Sequence, residues 1–246
     1  MIFTTSWDDG HPCDERLAAM LDHYGLAGTF YIPIKNQEGR QVMDALAMRE
    51  LDRRFEIGSH TLDHAYLTKL TAEQCDFQIL AGKHQLEDIL GHNVGGFCYP
   101  GGKFNADVRE SVINAQFVYA RGISNFWLNS GIDSFNIPTT IQFYPHSRQV
   151  LWRNFIKHGH YSERFPAFKS VAVGMNWLSA MKNLVEAQSE TERVIHIWGH
   201  SWEIEDNNLW SQLDDFLNFV SELNPVTCRL DELRSHNKWS NESIRH

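Results

Sequence analysis

The sequence lacks the features that would place it in several common classes. Only four of its 246 residues are cysteine (Cys13, Cys75, Cys98 and Cys228), and no two form a C-x-x-C pair. A zinc knuckle or a thioredoxin-type motif is therefore unsupported, and four scattered thiols read as small buried hydrophobes of a reducing compartment. No stretch of about 18 consecutive apolar residues occurs, so no membrane span is expected. The opening residues, MIFTTSWDDG, follow no basic and apolar leader; no signal peptide is read, and a cytoplasmic location is the expectation. Positive charge is in the minority, with 22 Lys and Arg against 31 Asp and Glu and a formal net charge of −9. That balance argues against a nucleic-acid surface. No G-x-G-x-x-G or P-loop follows a strand pattern, and no G-x-S-x-G elbow exists. Nucleotide-phosphate binding and serine-hydrolase chemistry are both unsupported. The oligomeric state stays open.

Hydrophobic residues make up 42% and aromatic residues 12% of the chain. That is ample for one core, and 1–246 reads as a single domain. Strand and helix patterns alternate from the start. Residues 2–7 read as a strand. Residues 15–24 read as a helix, with Leu17, Met20, Leu21 and Tyr24 at helical spacing and Gly25 behind them. Strands are expected at 27–32, 55–59, 94–99, 117–123, 194–198 and 226–230. Helices are expected at 43–54, 71–90, 106–116, 148–157, 176–188 and 209–223. The helix at 71–90 opens on a capping-box pattern, Thr71 with Gln74 three residues on. Residues 124–145 are less regular, with β-like stretches at 137–143, and 159–168 reads as a loop. Repeated βα units of this length point to a parallel sheet closed, or nearly closed, into a barrel, with the chemistry at the C-terminal ends of its strands.

Three clusters fall at such ends. In Trp7-Asp8-Asp9-Gly10 two carboxylates close a strand. They admit two readings: a turn cap with an N-cap for the next helix, or a metal ligand beside a general base. Successive strand residues point to opposite faces, so both can serve one site only if the chain turns there, which Gly10 makes easy. In His60-Thr61-Leu62-Asp63-His64 two histidines four apart can share a face of a helical turn and chelate one ion. That spacing alone is weak, because 13 histidines are present; the position directly after a strand is what raises it. In His196-Ile197-Trp198-Gly199-His200 the terminal His200 is a candidate general acid, while His196, inside the strand, reads as a core histidine. Two histidines and one carboxylate make a three-ligand site with open positions. A metal there would acidify its bound water and polarise a carbonyl, which suits hydrolysis of an amide or ester.

These motifs resemble the polysaccharide deacetylase family, the NodB-homology domain of carbohydrate esterase family 4. Ser6-Trp7-Asp8-Asp9-Gly10 looks like its T-F-D-D-G motif, and His60-Thr61-Leu62-Asp63-His64 matches H-[ST]-x-x-H in full. The resemblance implies a distorted (β/α)7 TIM-like barrel. It also implies Asp8 as catalytic base, and Asp9, His60 and His64 as ligands of a divalent metal, usually zinc. His200-Ser201-Trp202-Glu203 is similar to the family's H-P-W-E form and places His200 as the acid. Phe97-Cys98-Tyr99-Pro100-Gly101-Gly102 stands where the family often has R-P-P-Y. The implied substrate contacts are Tyr99, Pro100 and Gly101, with an oxyanion-binding N–H in that turn. Trp202 is a candidate for stacking on a sugar ring. The arginine that steadies the base in the family is missing, with Cys98 in its place. Arg121, at the end of the next strand, either reaches the same carboxylate or lies on the surface. The family's further aspartate has only Asp133 as a match.

The expected activity is removal of an N-acetyl group from an acetamido sugar or related carbohydrate. Two rivals stand beside it: hydrolysis of another C–N bond in a small amide or cyclic ureide, as in an allantoinase-like enzyme, and a degenerate carbohydrate-binding barrel without turnover.

Overall fold

The computed structural model describes residues 1–131, 133–174 and 176–236. In chain order the first elements are β1 (Ile2–Asp8), α1 (Asp14–His23), β2 (Thr29–Ile32), α2 (Ala45–Asp52), β3 (Glu56–Ser59), α3 (Ala72–Leu90), β4 (Gly96–Cys98), α4 (Ala106–Asn114) and β5 (Tyr119–Arg121). There follow β6 (Ile141–Gln142), α5 (Arg148–Lys157), α6 (Tyr161–Ala172), α7 (Trp177–Glu186), β7 (Val194–Gly199), α8 (Ser201–Asp206), α9 (Trp210–Glu222), β8 (Val226–Thr227) and α10 (Leu230–His236). Among the described residues no helix is long and apolar enough to cross a membrane.

The strands pair in parallel in the order β5-β4-β3-β2-β1-β7-β6, and β8 lies beside the first two residues of β1. β1 is buried from Phe3 onward and β7 throughout, as expected of strands covered on both faces. The curl is closed by the irregular stretch the sequence left between β5 and β7. Ile137 donates its N–H to the Ala120 carbonyl on one side, and Thr140 and Phe143 donate theirs to His196 and Trp198 on the other. Two-residue β6 is the regular part of this closure. The result is the distorted (β/α)7 barrel, with its strands' C-terminal ends on one rim.

Local rules hold the helices in place. Thr71 Oγ1 accepts from the Gln74 N–H, Gln74 Oε1 accepts from the Thr71 N–H, and Gly91 ends α3 in the left-handed region at φ 81°. Inside α3, Gly82 has a packing reason. A Cβ there would lie 2.6 Å from the backbone of Thr61 and Leu62, so the loop after β3 rests directly on the helix.

Three sequence expectations change. The stretch 159–168 is not a loop but most of α6. Gly159 and Pro166 masked it, yet Pro166 sits on the exposed side while Ala167, Phe168 and Val171 face the core. Arg164 is fully buried and donates to the carbonyls of Asn125, Asn154, Phe155 and Gly159, which locks the turn between α5 and α6. The final strand stops at Thr227 and gives way to α10. The segment from His60 to His64 contains no helical turn: Thr61 and His64 have φ of 70° and 56°, and the chain there is a loop.

Candidate active site

Asp8, Ser59, Cys98, Arg121 and Gly199 end β1, β3, β4, β5 and β7. His60 and His200 each follow such an end directly, so one rim gathers the three sequence clusters. Both carboxylates of the first cluster reach it because the chain turns at Asp9, whose φ is 79°. A non-glycine residue pays conformational energy there, and such strain collects at functional sites. Three of the non-glycine residues with positive φ, Asp9, Thr61 and His64, lie in the two motifs. Helix α1 begins at Asp14 with Cys13 as its N-cap, so neither Asp8 nor Asp9 caps it.

Asp9, His60 and His64 are all buried, and their candidate ligand atoms lie within 4.8 Å of one another. Asp9 Oδ1 is 3.2 Å from His64 Nε2 and 3.7 Å from His60 Nε2, and has no hydrogen-bond partner. The tautomer of His60 follows from its neighbours: Nδ1 is 2.8 Å from the Cys98 carbonyl, which can only accept. The Nε2 lone pair therefore faces Asp9. Burial, reinforced by the neighbouring His64, pushes the His60 pKa down to about 4 despite Asp8 and Asp9. A neutral imidazole, an orphaned buried carboxylate oxygen and a second imidazole could hold a divalent metal. The other Asp9 oxygen, Oδ2, accepts from Trp202 Nε1 at 2.8 Å.

Asp8 lies beside this cluster. Arg121, fully buried, donates from Nη2 to Asp8 Oδ1, and its guanidinium lies 5.2 Å from the ring centres of both Tyr31 and Trp198. The Cys98 thiol lies 3.8 Å from Asp8 Oδ2. Burial pushes the Asp8 carboxyl up, but the charges of Arg121, His60 and His200 more than offset this and hold it below its ordinary value. Burial raises the Cys98 thiol well above its usual range, so it is a neutral donor.

His200 stands across the site, with Nε2 4.0 Å from Asp9 Oδ2 and Nδ1 2.7 Å from Glu203 Oε2. Burial lowers its pKa, but Glu203, Asp9 and Asp8 raise it to about 9 overall. The same Glu203 oxygen accepts from Gln142 Nε2 at 2.7 Å, and Gln142 Oε1 is 2.8 Å from His146 Nε2. His146 borders a cavity of about 300 Å³ shared with Tyr144, Leu151, Trp177 and Met181.

Asp133 is not the further aspartate of the site: it pairs with Arg109 at 3.0 Å. The carboxylate that holds the histidine is Glu203, visible in the sequence as the fourth residue of the last motif but given no role there. Its signal was the i,i+3 spacing on α8. Asp14, fully buried, was also missed; burial holds its carboxyl well above the ordinary range beside Ser201. The Tyr99 hydroxyl is spent on the Phe135 carbonyl and its ring stacks on Phe104. Its side chain therefore faces the core, and any substrate contact by Tyr99, Pro100 and Gly101 falls to their backbone. Trp202 carries Arg40 over one face, 3.2 Å from the ring centre. His196 is a core histidine: Nδ1 faces the Pro138 carbonyl and Nε2 the Ser6 hydroxyl.

A parallel barrel with an aspartate–dihistidine cluster at its C-terminal rim defines the class. Residues 2–120, the segment that holds both leading motifs, match the family model described as polysaccharide deacetylase. Solved structures share the fold. The Xyl-CE4 domain of a multidomain xylanase from the hindgut metagenome of Trinervitermes trinervoides is 13% identical, with a TM-score of 0.57 over 95% of this chain and 89% of that one. A family 4 acetyl xylan esterase from Clostridium thermocellum, in complex with a cobalt ion, is 16% identical, with a TM-score of 0.56 over 96% and 91%. A Streptococcus pyogenes deacetylase in complex with acetate is 14% identical, with a TM-score of 0.51 over 55% of this chain and 62% of that one. No curated protein matches the sequence.

Proposed function

We propose that the protein is a metal-dependent hydrolase that removes an N-acetyl group from an acetamido sugar or a related carbohydrate. The observation that carries this reading is the buried, unpartnered Asp9 Oδ1 facing the Nε2 atoms of His60 and His64. These three residues would hold a divalent ion, with zinc the expected one. Bound there, the ion supplies Lewis acidity, lowering the pKa of water and polarising the acetyl carbonyl. The cobalt-bound acetyl xylan esterase of the same fold is consistent with such an ion.

The rest falls to side chains. Asp8, kept ionised by Arg121, takes a proton from the attacking water. The water oxygen adds to the acetyl carbon. His200, kept protonated by Glu203, gives its proton to the nitrogen as the C–N bond breaks, leaving acetate and a free amine. In the Pro100-Gly101 turn proline has no N–H, so the Gly101 N–H would be the backbone donor to the carbonyl oxygen. Arg121 reaches the base from β5, which weighs against a degenerate barrel.

The test combines metal analysis with an acetate-release screen over acetylated sugars and small amides. Asp8→Asn is expected to keep the metal and lose turnover; His60→Ala and His64→Ala are expected to lose the metal. Full activity in Asp8→Asn would remove the base assignment, and unchanged metal content in both histidine variants would remove the ligand set. Release from a cyclic ureide but from no acetylated sugar would move the substrate class to other C–N bonds.

A further inference from the structure

Helices α5 and α6 form a hairpin, and its outer face carries a group of exposed aromatic and aliphatic side chains. Trp152, Ile156, Tyr161 and Phe165 are 51%, 59%, 52% and 48% exposed. They form one patch. Trp152 packs against Phe155 and Phe168, Tyr161 and Phe165 pack against Phe155, and the Tyr161 hydroxyl donates to the Ile156 carbonyl. Leaving four large apolar side chains together in water forgoes the gain of burying them, so a contiguous patch of this kind marks a surface that meets something.

Charge says what it meets. Residues 148–172 carry five Lys and Arg and a single acid, Glu163, in a chain whose overall charge is −9. Arg164 is buried and spent on carbonyls. The other four, Arg148, Arg153, Lys157 and Lys169, are exposed, and none forms a salt bridge with a described carboxylate. Arg153 follows Trp152 and Lys157 follows Ile156, so a cation stands beside an exposed apolar side chain at both places. Aromatic side chains at the headgroup level with basic residues beside them are the chemistry of a surface helix on an anionic bilayer. An acidic protein groove would satisfy the charges, but it would not need two exposed apolar–cation pairs, Trp152-Arg153 and Ile156-Lys157, one helical turn apart on α5.

We infer that the outer face of the α5–α6 hairpin docks the protein on an anionic phospholipid surface. Docking is peripheral and reversible, with the aromatic side chains entering the interface and the cations facing lipid phosphates.

The experiment is co-sedimentation of the full chain with large unilamellar vesicles, either equimolar phosphatidylglycerol and phosphatidylcholine or phosphatidylcholine alone, at about 50 and 500 mM NaCl. Partitioning is expected on the anionic vesicles only, and it should fall steeply at high salt. Arg153→Glu with Lys157→Glu is expected to weaken it at least about tenfold, and Trp152→Ala with Phe165→Ala to weaken it without changing its salt dependence. All four positions are exposed, and circular dichroism and Tm confirm the folded state. No partitioning at millimolar anionic lipid, or equal partitioning by the charge-reversed variant, overturns the inference. A dimer by sedimentation equilibrium that Trp152→Ala dissolves assigns the patch to a second copy and overturns it too. None of these readings uses turnover, so they stand apart from the activity test.

Discussion

Cys98 and Arg121 are registered partners on β4 and β5, and both side chains reach Asp8, the thiol at Oδ2 and the guanidinium at Oδ1. The small neutral thiol leaves room for a cation that arrives from one strand further along the barrel. Arg121→Gln leaves a buried carboxylate without its cation, which costs on the order of 3–5 kcal/mol of stability. It also removes what holds the Asp8 pKa down. The acid limb of the pH–rate profile is expected to move to higher pH, with activity at neutral pH down about tenfold or more. Arg121→Lys keeps the charge and guards against loss of fold. An acid limb unchanged in both variants would separate Arg121 from the base.

Trp202 donates to the Asp9 oxygen that does not face the histidines. Trp202→Phe keeps a ring for Arg40 to cover and loses only that donor. Metal affinity is expected to fall about 10–100-fold, read by competition with a chromophoric chelator. Unchanged affinity would show that the indole N–H does not orient the ligand.

Glu203 holds His200 by its Nδ1–H. An acid that must be protonated to act loses activity as pH rises through its pKa, here about 9. Glu203→Gln removes the carboxylate that raises this pKa against burial, so the basic limb is expected to move to lower pH. A pH–kcat profile measures this. A loss of activity with no movement of the limb would assign Glu203 a purely structural role. The ring is 19% exposed, so solvent screening makes the displacement modest.

His196 offers a stability test away from the chemistry. It is 2% exposed, and burial, with the Arg121 charge adding to it, pushes its pKa down to about 3. The unfolded chain takes up a proton near pH 6.5, whereas the native protein does so only near pH 3. Between these values the unfolded state binds more protons, so stability is full above about pH 6.5 and lost as pH falls. The loss approaches about 1.4 kcal/mol per pH unit for this one group. Urea midpoints for the parent and His196→Gln at pH 4, 5, 6 and 7 check it: the difference between the two should shrink as pH falls. A constant difference would contradict the shift.

Much of this was legible in order along the chain. The alternation of elements, the α3 capping box, the strand-end placement of Asp8, Asp9, His60 and His200, and the core role of His196 all rest on local pattern. Helix α6 was not legible, because Pro166 and Gly159 are loop signals whose effect is overridden by Arg164 tying the hairpin to four carbonyls. Nor could the loop form of His60 to His64 be read, because the spacing of two histidines is the same in a helical turn and in a loop with two positive φ values.

The sequence by itself determined the kinds of groups available and the rim they would share, since periodicity sets elements and a parallel barrel sets which strand ends converge. Tertiary structure alone decided the pairings within that rim. Arg121 and Asp8 are 113 residues apart, and Trp202 and Asp9 are 193 apart. No local rule encodes such distances. They follow from barrel closure and strand register, which carry Arg121 on β5 to the carboxylate that Cys98 on β4 also faces.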